Sequence, residues 1–208
     1  MAYPVVVDVV PALSGRNRLT TLFRAILAIP HIFLVGGVGI TVATRSDGQT
    51  SAFGESGLLG AVAIALSLVS WLTLLFTNTQ PPALRQYTAF YLRWRLRAIS
   101  YLMLLRDDYP PFGDAAYPAT LTITDPVGPR PRLAILLRVF YAIPHFIVIA
   151  LLLFVWGLTT VVAWFAILFT GSYPQALYDF AVGCLRWRLR VEAYMLLMVD
   201  EYPPFSLS

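Results

Sequence analysis

The sequence contains two histidines, and each follows an arginine by seven residues: Arg24 precedes His31, and Arg138 precedes His145. Seven residues are close to two helical turns, so each pair lies on one face if its helix is regular. Guanidinium groups match the geometry of phosphate, and imidazoles can ligate metal or form hydrogen bonds. Ionisable side chains inside an apolar segment are expected to face the protein interior or water, so these four residues are candidates for a binding site.

Three interpretations of the four residues stay open. In the favoured one, each histidine forms hydrogen bonds that hold its helix near a membrane interface. In the second, the two arginines and two histidines converge between the repeats and bind an anionic headgroup or another anion. In the third, which has the least support, His31 and His145 are the axial ligands of one haem iron, although the sequence lacks a Cys-x-x-Cys-His attachment motif. No other cofactor and no metal site are predicted.

A second candidate is the motif Leu-Arg-Trp-Arg-Leu-Arg, which occurs at 92–97 and again at 185–190. Each occurrence is followed by Tyr-Pro-Pro-Phe, at 109–112 and at 202–205. Arginine can reach phosphates while its stem lies on apolar surface, and tryptophan favours the headgroup level of a bilayer. The predicted ligands of lipid headgroups are Arg93, Trp94, Arg95, Arg97, Arg186, Trp187, Arg188 and Arg190.

Pairs of carboxylates precede both Tyr-Pro-Pro-Phe segments, at 107–108 and 200–201. Adjacent carboxylates can bind metal or act as acid and base, but here we expect them to cap a helix end by pairing with the arginine cluster of the motif, or to stay solvated. Glu192 has no equivalent in the first copy, where Ile99 stands, so a carboxylate mechanism common to both copies is not expected. The sequence also lacks a nucleophile elbow, a phosphate-binding loop and a His-Glu-x-x-His motif, which predicts a protein that is not an enzyme.

The composition indicates a membrane protein. Apolar residues make up 58% of the 208 residues and charged residues only 12%, against about 25% charged in a soluble domain. All fifteen basic residues are arginine, and orientation in a membrane explains the net charge of +4 better than a nucleic-acid partner, which is not expected. The first residues lack the basic start of a cleavable signal peptide, so none is expected. The single cysteine, Cys184, excludes an intramolecular disulfide.

The chain repeats itself in two registers. At an offset of 114 residues Ala28–His31 corresponds to Ala142–His145, and at an offset of 93 Leu75–Thr77 corresponds to Leu168–Thr170. The difference of 21 residues indicates an insertion in the first copy. Matches of this kind along the whole chain predict an internal duplication. The predicted units are residues 1–112 and 113–208.

Each copy begins with a β-branched or alternating segment, Tyr3–Val10 or Thr120–Thr124, which predicts a short strand. The two strands are expected to pair as a ribbon outside the membrane. In the first copy Leu22–Thr44 and Gly57–Thr77 follow, each long enough to cross a bilayer. The long uncharged segment of the second copy predicts two helices joined by a turn near Trp156–Gly157. This second hairpin is short, and a hairpin that spans only part of the bilayer is the alternative.

Amphipathic segments that begin at Pro81 and Pro174 are predicted to lie in the membrane interface and also to pack under the hairpins. Only Arg45 lies in the loop between the first two spans, and the other fourteen arginines flank the opposite ends. Both termini are therefore expected in the cytoplasm, at the inner membrane of a bacterium. The predicted fold is an all-α membrane protein with four transmembrane helices in two parallel duplicated hairpins, each with an interfacial amphipathic helix and a short N-terminal β-strand.

The paired Arg-Leu-x-x-x-x-Arg…Ile-Pro-His and Arg-Trp-Arg-Leu-Arg…Tyr-Pro-Pro-Phe signatures resemble an uncharacterised bacterial membrane family, seen largely in actinobacteria and known only as a domain of unknown function. The resemblance covers nearly the whole chain, in both copies. It implies an integral membrane protein built from this repeated unit. It carries over no catalytic residues, because none are established for that family.

The leading hypothesis for function is a non-enzymatic scaffold or accessory subunit in the membrane. Such a protein would bind anionic lipid through its cytoplasmic Arg/Trp surface and could also bind a partner protein there, as part of a membrane complex. The alternative is a small transporter or lipid-handling protein with an Arg/His site between the repeats. A haem-binding membrane redox subunit is the weakest of the three.

Overall fold

A computed structural model describes residues 3–38 and 53–208, with side chains from residue 56 onward in the second range. The described chain is mostly helical and includes one two-stranded antiparallel sheet. The predicted loop around Arg45 lies outside the described residues. The elements are β1 (Val5–Val9), α1 (Arg18–Leu22), α2 (Arg24–Val35), α3 (Phe53–Thr77), α4 (Pro82–Leu102), β2 (Ala119–Ile123), α5 (Arg132–Thr170) and α6 (Gln175–Met195).

The two strands pair across the repeat, which confirms the predicted ribbon. Val7 pairs with Leu121, which is its own equivalent at the offset of 114. The two backbone hydrogen bonds that flank the ribbon also join equivalent residues at this offset. An antiparallel ribbon that pairs equivalent residues has a twofold axis perpendicular to its plane. An approximate twofold axis between the copies therefore passes through the centre of the ribbon. One face of β1 is buried and the other exposed, because side chains alternate along a strand.

The helices α4 and α6 form a layer beneath the ribbon. α4 packs against β2 and α6 against β1, while on their other sides α4 contacts α2 and α3, and α6 contacts α5. Each helix starts beside a proline, whose missing N–H is tolerated in the first turn. The predicted packing of these helices against the apolar segments is found, and they lie between two protein layers. The reason is that large apolar side chains such as Tyr91, Leu92 and Leu96 surround the helix and become buried.

The second copy has a single long helix in place of the predicted hairpin. α5 runs for 39 residues and passes through Trp156–Gly157, so the predicted turn there is wrong. One glycine destabilises a helix by about 1 kcal/mol, and no proline or charged residue stands beside Gly157 to add to that effect. In apolar surroundings an unbroken helix satisfies its backbone N–H and C=O groups internally, which favours continuation over a turn.

In the first copy α2 and α3 follow the same path with one interruption. Gly36 ends α2, and Gly57 lies against the backbone of Gly36 and Leu34. In the two repeat registers both glycines correspond to Ala150, in the middle of α5. The 21 inserted residues therefore leave and rejoin a helical path at one point. Together α2 and α3 are the counterpart of α5.

Replacing Gly57 with alanine should lower the free energy of unfolding by roughly 2–4 kcal/mol, from backbone strain and overpacking. Its φ is +64°, and an added Cβ would lie 2.6 Å from the carbonyl of Leu34 and collide with the backbone N of Gly36. Gly157→Ala is the matched control, because a Cβ there meets nothing within 4 Å and alanine favours a helix. Denaturant unfolding in mild detergent, followed by circular dichroism, compares the two. Equal stability of both variants would contradict the close approach at Gly57.

The long helices of the two copies run antiparallel. Near the end of α3 the Trp71 indole donates to the carbonyl of Ile135 at the start of α5 (3.1 Å), and near the end of α5 Trp164 donates to the carbonyl of Thr21 (3.0 Å). The two contacts join equivalent residues of the two copies. Antiparallel segments that a twofold axis exchanges lie perpendicular to that axis. The long helices therefore lie parallel to the plane of the ribbon, and the copies are not two parallel hairpins.

Two helices are long and apolar enough to cross a membrane, Ser56–Thr77 and Arg132–Thr170. α2 has only 12 residues, and the predicted span Leu22–Thr44 lies partly outside the described residues. The four predicted transmembrane helices are therefore not confirmed. The predicted units also interlock, since the ribbon and both tryptophan contacts join one copy to the other.

The helices α1, α2, α3 and α5 form an outer layer with an apolar exposed surface. Among its side chains that are more than 60% exposed are Phe33, Leu68, Phe76, Leu151, Phe154 and Phe169. By contrast α4 and α6, which the structure describes in full, expose no large apolar side chain. The outer face of the ribbon mixes Val6 and Val10 with Asp8, Thr120 and Thr122. The molecule thus has a ribbon, a covered pair of helices and an apolar outer layer.

Candidate functional site

Each copy buries two arginines around one aspartate. Asp107 accepts hydrogen bonds from Nε and Nη2 of Arg16 (2.9 and 2.7 Å) and from Nη2 of Arg24 (2.5 Å), and the Arg24 guanidinium lies 4.0 Å from the ring centroid of Tyr101. The carboxylate was expected to pair with the arginine cluster of Leu-Arg-Trp-Arg-Leu-Arg, but its partners are arginines outside that motif, just before and at the start of the helices of the outer layer. The equivalent residues of the second copy are Asp200, Arg130, Arg138 and Tyr194.

The charge of Asp107 is stabilised by its surroundings. Burial opposes ionisation, but hydrogen bonds from the Arg16 side chain and the Asn17 backbone, together with both guanidinium charges, outweigh it and hold the pKa of Asp107 below its usual value. Arg16 also donates to the carbonyl of Leu104, and Arg24 donates to that of Arg106. These bonds join the residues on either side of α1 to the chain that follows α4, so the cluster holds these two segments together.

Each histidine lies in an aromatic box formed by its own copy. Nδ1 of His31 accepts a hydrogen bond from the Trp94 indole (3.1 Å), and the imidazole stacks on Phe112 with 4.6 Å between centroids and contacts Tyr109. The corresponding partners of His145 are Trp187, Phe205 and Tyr202. Because Nδ1 accepts, it carries no proton in this arrangement. The Tyr-Pro-Pro-Phe segments therefore cover the histidines, a link that the separate motifs do not reveal in the sequence.

The structure does not bring the four predicted anion ligands into one site. Arg24 and His31 form their hydrogen bonds within the first copy, and Arg138 and His145 form theirs within the second. Among the described residues no contact joins the two histidines, so the geometry gives the haem hypothesis no support. Of the four residues, Arg138 lines the cleft between the long helices.

Most of the predicted headgroup ligands are buried. Arg93 is the clearest exception, with a side chain 34% exposed that pairs with Asp114, and Arg186 and Arg190 donate to backbone carbonyls near the end of the chain. A helix between two protein layers has no side that faces lipid, so the Arg/Trp surface predicted from this motif does not form. The side chains that are at most 7% exposed are Trp94, Arg95, Arg97, Trp187 and Arg188.

Two equivalent arginines meet at one carboxylate near the twofold axis. Glu192 accepts hydrogen bonds from Nε of Arg95 (2.9 Å) and Nε of Arg188 (2.8 Å). Arg95 also donates to the carbonyl of Val35, and Arg188 donates to that of Val38. Burial opposes the charge of Glu192, but the two arginines outweigh this effect and lower its pKa. We call Arg95, Arg188 and Glu192 the axis cluster.

Glu192 is the residue that sequence reasoning missed. Its lack of an equivalent in the first copy argued against a function, yet a carboxylate near a twofold axis needs no equivalent, because it serves both copies. Its position four residues after Arg188 was the available signal, since side chains at that spacing meet on a helix. The contribution of Arg95 from the other copy could not be seen without the fold.

A cleft of about 840 Å³ opens between α3 and α5, and the axis cluster lines part of it. Arg138 of α5 lies along the same cleft. Its walls include apolar side chains of the two outer helices, Ile64, Leu68, Leu136, Val139, Phe146 and Ile149. Apolar walls with a small number of charged groups suit an amphipathic molecule with a polar end. Sequence periodicity could not separate these wall residues from those that face outward, because both kinds are apolar.

The sequence matches a family described as a domain of unknown function, DUF4389, over residues 55–113 and 132–206. These two segments make up more than half of the chain. The chain belongs to the DUF4389 family. No curated protein and no solved structure matches it.

The two DUF4389 segments end at equivalent residues, Gly113 and Ser206, in the register of 93, in agreement with the duplication. Each segment includes a helix of the outer layer, the helix of the middle layer that follows it, and a Tyr-Pro-Pro-Phe segment. The first DUF4389 segment begins close to where the insertion rejoins the helical path, and α2 precedes it. Both strands lie outside the matched residues. The recurring unit is thus the pair of packed helices with its closing aromatic segment.

Proposed function

We propose that this protein is a non-enzymatic membrane protein that binds a membrane lipid in the cleft between α3 and α5. The acyl chains lie between the apolar walls, and the headgroup lies against the axis cluster. The observation that carries the proposal is the combination, in one cleft, of walls from the apolar outer layer with arginines of the covered layer.

The size and position of the cleft support an apolar ligand. Its volume of about 840 Å³ lies within the range of about 300–1,000 Å³ that is typical of small-molecule sites. The wall residues Leu68, Leu136 and Val139 are between 48% and 62% exposed, so the cleft is open at the outer layer. A ligand that enters there comes from the surroundings of the outer layer, and the apolar surface of that layer supports lipid hydrocarbon as these surroundings.

The charges along the cleft favour an anionic headgroup. Arg95, Arg138 and Arg188 line it, against one carboxylate, that of Glu192. Guanidinium groups bind phosphate oxygens with well-defined geometry, which makes an anionic phospholipid the ligand class that we propose. This proposal moves the lipid site from the Arg/Trp motif, which is mostly buried, to the cleft.

The proposed orientation places both termini in the cytoplasm. The hydroxyl of Tyr3 donates to the carbonyl of Glu201 (3.2 Å), and Arg190 donates to the carbonyl of Ser208 (2.6 Å), so both ends of the described chain lie near α6 and on the same side of the molecule. Arginine-rich segments are attracted to the anionic cytoplasmic leaflet. The partner that we propose is therefore anionic lipid of a bacterial inner membrane.

Replacing Leu68 with tryptophan should reduce the lipid that copurifies with the protein several-fold. Leu68 lines the cleft and is 62% exposed, so a larger ring occupies the space of an acyl chain without entering the core. Val161→Trp is the matched control, because Val161 is the repeat equivalent of Leu68, is 55% exposed and does not line this cleft. Mass spectrometry of lipids extracted from each variant, purified in mild detergent, gives moles of lipid per mole of protein.

The headgroups of the extracted lipid test the second part of the proposal. Phosphatidylglycerol should be enriched over zwitterionic lipid relative to the source membrane. Equal lipid in the Leu68 and Val161 variants would contradict the cleft as the site. Bound lipid with the same headgroup composition as the membrane would contradict the role of the arginines.

A further inference from the structure

We infer that the long helices of this protein lie along the membrane within one leaflet, with the ribbon on the aqueous side, and do not cross the bilayer. The partner of the outer layer is then the hydrocarbon of a single leaflet. The inference rests on the membrane attachment proposed above, but not on the presence of a lipid in the cleft.

The length of α5 is the first reason. Its 39 residues extend about 58 Å at about 1.5 Å per residue, whereas the hydrocarbon core of a bilayer is about 30 Å thick. A straight crossing helix of this length would need a tilt of about 60° to stay inside, and membrane helices tilt by about 0–40°. Except for its first residue, α5 has no exposed charged side chain that would mark an exit into water. The helix is therefore too long to cross and too apolar to project into water.

The direction of the twofold axis is the second reason. The axis passes through the ribbon and is perpendicular to the long helices. If α5 crossed the membrane, the axis would lie in the membrane plane, and the ribbon would lie beside the helices at the depth of the hydrocarbon. Both strands of a two-stranded ribbon are edge strands with unpaired backbone groups, which do not occur in contact with lipid. The exposed carboxylates of Asp8 and Asp125 would lie at a similar depth.

An axis along the membrane normal removes this conflict. The ribbon then lies in water, α4 and α6 lie beneath it, and the outer layer lies in the membrane. The outer layer is one helix thick, about 10 Å, and one leaflet supplies about 15 Å of hydrocarbon. In the described part of this layer the exposed charged residues are Arg18 and Arg132, the first residues of α1 and α5. Arginines at helix ends can extend toward headgroups.

Thiol labelling tests the topology directly. Single cysteines replace Val127 just before α5, Thr170 at its end and Thr120 on the ribbon, in a Cys184→Ser background that removes the one native thiol. A membrane-impermeant maleimide is added to inverted and to right-side-out membrane vesicles from cells that express each variant. All three sites should react in the inverted vesicles alone. Reaction of positions 127 and 170 from opposite sides would overturn the inference.

Nitroxide labels measure the depth of α5 in the same background. Leu133, Leu151 and Phe169 are 68%, 65% and 77% exposed, and steps of eighteen residues are five helical turns, so the labels lie on one face. The vesicles contain phosphatidylglycerol and phosphatidylcholine. The accessibility of each label to oxygen, relative to a polar paramagnetic reagent, should place all three labels at similar depth within one leaflet, short of the bilayer midplane. A crossing helix would place position 151 deepest and the other two near opposite surfaces, and that result would overturn the inference.

The remaining outcomes are also decisive. If a second copy covers the outer layer, the label at position 151 shows spin–spin broadening and low access to oxygen in lipid, and the inference fails. The labelling pattern and the depths of the labels do not depend on a lipid in the cleft, so they should be the same in the Leu68→Trp variant even where its copurified lipid is lost. Failure of the proposed lipid site and failure of this topology are therefore distinguishable.

Discussion

Replacing Asp107 with asparagine should lower the free energy of unfolding by about 3–5 kcal/mol, the effect of breaking a buried ion pair from one side. The side chains of Arg16 and Arg24 are 1% and 3% exposed, and both bind this carboxylate. The variant leaves two buried guanidiniums without a carboxylate partner. The backbone carbonyls that still accept their hydrogen bonds do not neutralise the two positive charges. Asp200→Asn should have the same effect in the second copy. Denaturant titration in mild detergent, followed by circular dichroism, gives the free energies.

Asp108→Asn is the matched control for the first of these variants. The side chain of Asp108 is 55% exposed and pairs with Arg106, and exposed pairs contribute at most about 1 kcal/mol. If the variants at 107 and 108 are equally stable at neutral pH, the buried cluster does not have the role assigned to it.

The dependence of stability on pH gives an independent check on Asp107. Its pKa is lowered in the folded state, so its contribution is complete above the unfolded pKa of about 3.9. The contribution is lost as the pH falls through the folded pKa, because protonation then removes the advantage of the folded state. Below about pH 4, the unaltered protein should therefore lose stability more steeply than Asp107→Asn. Parallel curves for the two proteins would contradict the lowered pKa.

The duplication and the ribbon could be predicted from sequence because each has a local or periodic signal. The ribbon follows from alternation in two equivalent segments, and strands of this kind need a partner. Identical residues at two fixed offsets are direct evidence of repetition. The partners of Asp107 were not predictable, because Arg16 and Arg24 lie more than 80 residues away in sequence.

The helical path of the outer layer could not be derived from the sequence. An apolar segment of forty residues has the same composition whether it forms one helix or two, and Gly157 alone gives too weak a signal to decide. The same limit applies to the first copy, where the insertion resembles a loop between two spans. The close approach of Gly36 and Gly57 shows instead that the insertion leaves a helical path that α5 follows without a break.

The motif Leu-Arg-Trp-Arg-Leu-Arg was misinterpreted for a related reason. Arginine and tryptophan together are typical of a membrane interface, but the same side chains also suit a helix buried between two layers when each has a partner. Trp94 has His31, and Arg95 has Glu192. Residue types alone could not separate these environments, because the partners lie 63 and 97 residues away in sequence.

Replacing Glu192 with isoleucine should lower the free energy of unfolding by about 3–5 kcal/mol, because two buried guanidiniums lose their shared carboxylate. Isoleucine is the residue that the first copy has at the equivalent position, 99, where it is fully buried. Denaturant unfolding in mild detergent measures the loss. A variant as stable as the unaltered protein would show that the axis cluster does not stabilise the fold.

Adding Ile99→Glu to the Glu192→Ile variant should restore most of the lost stability. The approximate twofold axis carries position 99 onto position 192, and a glutamate at 99 follows Arg95 by four residues as Glu192 follows Arg188. Ile99→Glu alone is the control, and it should destabilise the protein because two carboxylates then compete for one site. The double variant keeps one carboxylate and two guanidiniums at the cleft, so the amount of copurified anionic lipid should also return. If it is no more stable than Glu192→Ile, the two copies are not equivalent about this axis, and the position of the carboxylate depends on features of the second copy alone.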